Sequence, residues 1–332
     1  MRSKTDLNPQ RRQLLLASAC STGLMFVSQN SLASSYPNAA VKFIVPFPPG
    51  GTVDTVTRLL TEQLASQIGQ VVVVENKGGA GGTIGAKFVS QTKPDGYNLL
   101  LTASNQIINP LILKTVPYDP FKDFTPISYI GYVPQVVLVK ADFPANTFQE
   151  FLKIVKEKPD QYTWAASSLG TAGHLAEELI NQQAGLKMRV IPYKGGGPAL
   201  MDTIAGHTTA MVEPTPSAMP HVKSGRLKAL AVTSIKRAGS MPNVPTVAES
   251  GLQGFELPSW YGIWGPANIP DAIAQKMYQE VKKALLSESL KKRLDVLSFE
   301  VVAGSPSDLN AFMRTETDKY AKIIKTAGIS ID

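Results

Sequence analysis

The chain has 332 residues, of which 43% are hydrophobic and 18% are charged, and it contains 26 glycines and 24 prolines. This composition excludes an intrinsically disordered chain, a collagen and a coiled coil, and the length predicts two domains of about 150 residues each. The net charge of +7 would suit nucleic acid or an anionic membrane, but residues 1–33 alone carry +3 of it. The remaining +4 is a mild bias, so we expect no nucleic-acid partner.

The first 33 residues have the pattern of an export signal. The basic segment Met1–Arg12 precedes the largely apolar run Gln13–Val27, and Ser31 and Ala33 are the small residues that a signal peptidase requires. The apolar run is shorter than the roughly 20 residues that span a bilayer. We therefore expect cleavage after Ala33 and a mature protein in the periplasm.

Two details of this segment leave the export route and the anchoring open. The pair Arg11-Arg12 is typical of twin-arginine signals, which export folded proteins, although ordinary signals also carry such pairs. The stretch Ala17–Cys20 is similar to a lipoprotein cleavage box, but alanine stands where that box has leucine, so lipidation at Cys20 stays an alternative. Cys20 is the single cysteine of the chain, which excludes an internal disulfide and, after cleavage, any thiol chemistry.

From residue 41 the chain alternates strand, turn and helix. The hydrophobic pattern predicts strands over 41–45, 71–74 and 97–101, with helices over 53–68 and about 85–92 between them. Three buried strands separated by helices indicate a parallel sheet that is covered on both faces. A proline-rich passage, Pro110 to Pro126, follows this first α/β unit.

The same alternation returns after the prolines and predicts a second α/β unit. Its strands are predicted over 136–140, 163–166, 189–192 and 227–232, and its helices over 148–156, 173–184 and 198–205. Pro198 is expected at the first position of the last of these helices, which ends before Gly206. An aromatic patch at 260–264 and helices from about 271 and 307 complete the chain.

Motifs for cofactors, metals and catalysis are weak. The glycines of VVVVENKGGAGGTIGA give G-x-G-x-x-x-G instead of the dinucleotide pattern G-x-G-x-x-G, and the next strand ends without an acidic residue for a ribose. His174, His207 and His221 are isolated and lack metal-ligand spacing. A G-x-S-x-G elbow and a phosphate loop do not occur. We therefore expect no cofactor, no metal site and no enzyme activity.

Four polar, glycine-containing turns join predicted strands to predicted helices, at residues 46–54, 102–106, 167–173 and 194–197. Ligands bind at the carboxyl ends of strands in open α/β sheets, where helix N-termini offer free N–H groups and a partial positive charge. Each turn could also serve only to cap its helix. Four such turns from two units nevertheless indicate a site for a carboxylate.

These turns also carry a family resemblance. Seven segments, in order between residues 38 and 330, resemble those of the Bug-type extracytoplasmic solute receptors, the substrate-binding proteins of tripartite tricarboxylate transporters: PFPPGGTVDTVTRLL, VVVVENKGGAGGTIGA, KPDGYNLLLTASNQ, SSLGTAGHLAEELI, PYKGGGPALMDTIAGH, LKALAVTS and VPTVAESGLQGFELPSWYGIWGP. The resemblance implies a hinged, two-lobed α/β periplasmic-binding-protein fold of type II, with a ligand cleft between the lobes. Lobe I would comprise residues 34–127 and 231–332, and lobe II residues 128–230.

The resemblance also implies the function and the site. A non-catalytic monomer would bind a small organic acid in the periplasm and deliver it to membrane transporter subunits by lobe closure. The family pattern places these residues at the ligand: Phe47, Gly50, Gly51, Asp54, Thr102, Ser104, Gln106, Ser168, Gly170, Thr171, Ala172, Lys194 and Gly195. Thr209 departs from the family, whose members often have Asp there, and Glu213 follows soon after. Specificity for an ammonium-bearing ligand therefore does not carry over.

Two other functions stay open at this point. The same cleft would suit a sensor or adaptor whose closed form contacts a sensor kinase instead of a transporter. A periplasmic enzyme would need a nucleophile or an acid–base pair that the four turns lack. Aliphatic dicarboxylates, aromatic carboxylates and carboxylated amino acids would all suit the predicted cleft.

Overall fold

The computed structural model describes residues 36–329, so the predicted signal, its cleavage site and Cys20 lie outside the described residues. Eleven strands within this range form two sheets, one of six strands and one of five. The six-stranded sheet is built from β1 (Val41–Val45), β2 (Val72–Asn76), β3 (Asn98–Ala103), β4 (Phe124–Val133), β10 (Ser259–Pro266) and β11 (Glu300–Gly304). The five-stranded sheet is built from β5 (Gln135–Lys140), β6 (Thr163–Ala166), β7 (Arg189–Pro192), β8 (Ala210–Pro214) and β9 (Leu227–Val232).

Each sheet is covered by the helices that lie near it in the chain. With the first sheet are α1 (Thr52–Ile68), α2 (Thr83–Ser90), α3 (Asn105–Ile112), α8 (Asp271–Leu285), α9 (Glu288–Val296) and α10 (Pro306–Ala327). With the second are α4 (Phe148–Glu157), α5 (Ala172–Ala184), α6 (Gly196–Ala205) and α7 (Thr215–Lys223). No helix within residues 36–329 is both long enough and apolar enough to cross a bilayer.

The first sheet is mixed, with the strand order β11-β4-β10-β3-β1-β2. The expected parallel pairing holds for β1 with β2 and with β3. The rest of the sheet, which that prediction did not cover, is antiparallel, because β10 runs antiparallel to both β3 and β4, and β11 runs antiparallel to β4. The strands β4, β10 and β11 come from distant parts of the chain, so local patterns do not reveal their pairing.

The second sheet has the order β7-β6-β8-β5-β9. The strand β6 runs parallel to β7 and β8, whereas β5 runs antiparallel to β8 and β9. Apolar side chains from both faces of its strands are fully buried, among them Trp164 on β6 and Val137 on β5. Because β6, β7 and β8 run parallel, their carboxyl ends lie at the same edge of the sheet, which faces the first sheet across a cleft.

Two chain segments connect the sheets side by side. One is Pro134, between β4 and β5, and the other follows β9. The backbone N–H of Thr233 donates to the carbonyl of Gln135 at 2.8 Å, and the N–H of Gln135 donates to the Thr233 hydroxyl at 3.1 Å. The Gln135 side chain donates to the carbonyl of Leu257 at 2.9 Å. These hydrogen bonds join the two connecting segments side by side, and together the segments form a narrow hinge behind the cleft.

Helix α10 supports this arrangement because it packs against both lobes. Phe312 stacks on Tyr129 of β4 with ring centroids 4.4 Å apart, and the Trp260 indole donates to the Tyr320 hydroxyl at 3.1 Å. At the other end of the helix the Gln182 side chain of α5 donates to the carbonyl of Thr326 at 2.6 Å. The C-terminal helix thus ties the second lobe to the first.

Pro198 is the third residue of α6, not the first, because the helix begins at Gly196. The prediction of its position was wrong by two residues. The structure tolerates this, since the N–H groups of a helix's first turn have no partner within the helix and proline removes nothing there.

Candidate functional site

A cavity of about 100 Å³ lies between the lobes, at the edge where the strands of both sheets end. Lobe I lines it with Phe47, Pro48, Pro49, Gly51, Thr52, Val53, Ala103, Ser104, Asn105, Ser259 and Tyr261. Lobe II lines it with Gln135, Ser167, Thr171, Ala172, Gly195, Gly196, Gly197, Pro198, Glu213 and Pro214. We call it the inner cavity.

Four helices begin at the inner cavity, α1 and α3 from lobe I and α5 and α6 from lobe II. The N-cap residues of α1 and α6 are Gly51 and Gly195, and neither has a side chain to cap the helix. The N-cap of α5 is Thr171, whose hydroxyl accepts from the N–H of His174 at 3.2 Å. First-turn N–H groups have no acceptor within their helix and carry a partial positive charge. The inner cavity is therefore lined by donors suited to an anion.

A second, larger cavity of about 820 Å³ adjoins the inner one and shares Phe47, Pro48, Pro49 and Gly195 with it. We call it the outer cavity. Its remaining walls include the glycine-rich turn at 78–82 of lobe I and the segment Pro192–Lys194 of lobe II. Its position beside the inner cavity makes it the approach to the cleft.

Six of the thirteen site residues predicted from the sequence line the inner cavity, namely Phe47, Gly51, Ser104, Thr171, Ala172 and Gly195. Ser168 and Lys194 line the outer cavity instead. The other five, Gly50, Asp54, Thr102, Gln106 and Gly170, line neither cavity. Ligand contact stays a prediction for all thirteen.

Asp54 shapes the first loop from behind. Its carboxylate accepts from the N–H of Gly50 at 3.0 Å, from the Arg58 side chain at 3.0 Å and from the Asn76 amide at 2.9 Å. Burial alone would raise the pKa of Asp54, but these hydrogen bonds and the Arg58 charge hold it below its ordinary value. The Asn76 amide also donates to the carbonyl of Phe47 at 3.0 Å, so this network positions the loop at the cavity.

Thr102, Gln106 and Gly170 lie directly beneath the cleft surface. The Thr102 hydroxyl donates to Asn105 at 3.0 Å, and the Asn105 amide donates to the carbonyl of Gly81 at 3.2 Å. The side chain of Gln106 is fully buried and has no hydrogen-bond partner among the described residues. Thr102 and Gln106 support the wall from lobe I, and none of the three residues lines either cavity.

The lobes touch at several points around the cleft. The hydroxyls of Thr52 on lobe I and Ser217 on lobe II are 3.2 Å apart. Gly170 has a φ of +77°, and a Cβ there would lie 2.2 Å from Oδ1 of Asn109 on the other lobe. These approaches show that the two lobes touch each other across the cleft in this structure.

The chain matches the family described as tripartite tricarboxylate transporter family receptor over residues 56–329. It belongs to that family. Among solved structures, the periplasmic binding protein BugD is 35% identical, with a TM-score of 0.85 over 89% of this chain and 99% of BugD. The family resemblance and the two-lobed fold predicted from the sequence are confirmed.

Two further structures of similar proteins were solved with a ligand. R. palustris Rpa4515, solved with adipate, is 32% identical to this receptor, with a TM-score of 0.87 over 89% of this chain and 99% of its own. MatC from Rhodopseudomonas palustris, with bound malate, is 30% identical, with a TM-score of 0.83 over 87% of this chain and 100% of its own.

The receptor's inner cavity also contains residues that the sequence prediction did not include. Gln135 and Tyr261 come from strands β5 and β10, and Glu213 comes from the end of β8. Their strands are central in the sheets, so their place in the site follows from long-range pairing. Glu213 stood out in the sequence as a carboxyl near the unusual Thr209, but no spacing placed it at the ligand.

Glu213 is the one carboxyl group among the residues that line the inner cavity, and none of these residues is Lys, Arg or His. Its Oε1 accepts from the Ser217 hydroxyl at 2.6 Å. Burial raises the pKa of Glu213 to about 7, more than this hydrogen bond lowers it. Throughout residues 36–329 no cluster of three or more His, Cys, Asp or Glu side chains could hold a metal ion.

Proposed function

We propose that this receptor binds a small organic carboxylate in the periplasm, closes its two lobes over it and delivers it unchanged to a tripartite tricarboxylate-type membrane transporter. The observation that carries the proposal is the inner cavity, where four helices from both lobes begin and the lining residues include no Lys, Arg or His. Each charge-assisted hydrogen bond to a carboxylate contributes about 1.5–3 kcal/mol. A few such bonds, shared between the lobes, favour the closed state and suffice for micromolar affinity.

The similar proteins support a carboxylate ligand. Rpa4515 was solved with adipate and MatC with malate, both of which are dicarboxylates. We extend this ligand class to the present chain and infer that the six predicted residues at the inner cavity contact the bound acid. Ser168 and Lys194, at the outer cavity, would meet it during entry.

Export belongs to the same proposal. The segment 1–33 would direct the chain to the periplasm and be cleaved after Ala33. Lobe I would then comprise residues 34–127 and 231–332 and lobe II residues 128–230, each boundary to within about ten residues, with closure at the hinge formed by Gln135 and Thr233.

A thermal-shift and calorimetric screen tests the proposal on the mature chain, with adipate, malate, benzoate and glutamate as probes. An acid present at 100 times its dissociation constant should stabilise the fold by about 2.7 kcal/mol. NMR of the recovered acid should show no chemical change. If none of these acids binds, or if one is converted, the proposed function is wrong.

A blocking variant locates the binding in the inner cavity. Gly51 lines that cavity with a φ of −79°, and a Cβ there meets no atom within 4 Å, so Gly51→Val fits the backbone and reduces the open space. Gly239→Val is the matched control, since Gly239 also has free space and lies outside both cavities. Binding should be lost in the first variant and kept in the second.

A further inference from the structure

The inner cavity contains one buried acid whose second oxygen has no partner. Glu213 is 3% exposed, and its Oε2 makes no hydrogen bond to any described residue, whereas its Oε1 accepts from Ser217. A buried polar atom left without a partner costs the protein free energy, about 1–3 kcal/mol. Because Glu213 lines the cavity, a bound ligand can supply the missing partner.

The surroundings of Glu213 favour its neutral form. Glu177 on α5 is a fully buried acid whose pKa is raised by its own burial and also by Glu213, and Tyr261 on β10 is an uncharged phenol. Gln135 on β5 is uncharged, and His174 on α5 is neutral because burial lowers its pKa to about 4. Burial likewise raises the pKa of Glu213. No described cation forms an ion pair with it that would hold it ionised, and two adjacent buried acids do not ionise together readily.

A neutral carboxyl group has one O–H to donate, and the hydrogen bonds decide where it is. The Ser217 hydroxyl lies 2.6 Å from Oε1 and 3.0 Å from the carbonyl of Pro214; when it donates to Oε1, that oxygen is the acceptor and the acid proton belongs on Oε2, which has no partner among the described residues. The Thr52 hydroxyl of lobe I meets Ser217 at 3.2 Å. When the lobes close, the hydroxyls of Thr52 and Ser217 thus form a hydrogen-bonded series that orients the carboxyl group of Glu213.

We propose that Glu213 determines specificity in the cleft by binding the second carboxylate of a dicarboxylate as a neutral acid, so that ligand binding is coupled to proton uptake. This inference rests on the proposed function. The helix N-termini receive one carboxylate of the ligand, and the Glu213 O–H donates to an oxygen of the other. Above neutral pH the free receptor has an ionised Glu213, which must take a proton from solvent before the dicarboxylate binds.

Isothermal titration calorimetry in two buffers of different ionisation enthalpy measures this proton directly. With adipate or malate the wild-type receptor should take up about one proton per ligand at pH 8, and close to none at about pH 6, where the free Glu213 is already mostly protonated and the ligand is still mostly ionised. Its dissociation constant should rise about tenfold between pH 6 and pH 8.

Two variants identify the group that takes up the proton. Glu213→Gln keeps a donor toward the ligand but cannot exchange a proton, so it should bind with no proton uptake and with the same affinity at both pH values. Glu177→Gln is the matched control, because Glu177 is an equally buried acid outside the inner cavity. It should still take up a proton on binding, with the uptake shifted to somewhat higher pH in the wild type than in this variant, because Glu177 no longer repels an ionised Glu213.

The outcomes separate this inference from the proposed function. Wild-type binding without proton uptake, uptake that persists in Glu213→Gln, or loss of all binding in Glu213→Gln overturns the role of Glu213 and leaves the receptor function standing. Binding of benzoate but of none of the three acids with two carboxylates, adipate, malate and glutamate, does the same. If no acid in the screen binds, the receptor function itself is wrong.

Discussion

Gly170→Ala should weaken ligand binding by preventing full closure of the lobes. Gly170 lies in lobe II just before α5, and a Cβ at this position would be 2.2 Å from Oδ1 of Asn109 in lobe I. Asn109 must then turn away when the lobes close, and it loses the hydrogen bond from its amide to the carbonyl of Gly81, now 2.9 Å long. In the open form Asn109 keeps that bond, so the penalty applies to the closed form alone.

The magnitude follows from these contacts. The lost hydrogen bond and the displaced buried amide cost the closed form about 1–2 kcal/mol, which corresponds to a 5- to 30-fold loss of affinity at roughly 1.4 kcal/mol per tenfold. The positive φ of +77° adds strain of about 1–2 kcal/mol for alanine. That strain is present in both the open and the closed form, so it lowers the free energy of unfolding and leaves the affinity unchanged.

Gly185→Ala separates the two effects. Gly185 ends α5 with a φ of +64°, and a Cβ there meets no atom within 4 Å. Its alanine variant should lose stability in urea unfolding but bind the tightest acid of the screen with wild-type affinity. Small-angle scattering with saturating acid should show a larger radius of gyration for Gly170→Ala than for Gly185→Ala. Equal affinities and equal radii for the two variants would refute the reasoning.

Two more changes test the second lobe. Thr171→Val removes the side-chain N-cap of α5, so it should lower the free energy of unfolding by about 1 kcal/mol and weaken carboxylate binding in calorimetry. Thr171→Ser keeps the hydroxyl and should restore both. An unchanged affinity in Thr171→Val would remove this residue from the site. Burial lowers the pKa of His174 from 6.5 to about 4. As pH falls from 6.5 to 4, this histidine takes up a proton in the unfolded chain but not yet in the folded one, so its contribution to stability is lost over that range. Relative to His174→Gln, urea unfolding should show a loss of about 3 kcal/mol over that range and no change above pH 7; a pH-independent difference would contradict a buried, neutral His174.

Local patterns predicted most elements that have an uninterrupted hydrophobic period. Helix α1 ends at Gly69 as expected, with that residue at a φ of +65°, and strands β6, β7 and β9 have the predicted bounds. The strand β4 was not predicted because Pro126 and its neighbours indicated a connecting passage, yet Pro126 pairs opposite Trp264 where the register shifts. Proline is tolerated in a strand at such an irregularity.

The residues of the functional site likewise fall into those that local patterns predict and those that they do not. Residues on strand-to-helix turns, such as Gly51 and Thr171, could be predicted because their glycines and helix-start signals are local. Tyr261 and Gln135 could not, since their position in the cleft depends on β10 pairing between β3 and β4 and on the crossing at Pro134. Glu213 enters the site because β8 lies between β6 and β5, which the order of strands in the chain does not imply.

The strand order of the first sheet determines which half of the receptor can finish first as the polypeptide is made. All five strands of the second sheet lie within residues 135–232, whereas the first sheet needs β10 and β11, up to Gly304, to complete it. During vectorial synthesis the central lobe can therefore reach its final pairing while β3 and β4 still expose unsatisfied edges. The unpaired edges of β3 and β4 are the part of the nascent chain that a chaperone would have to shield.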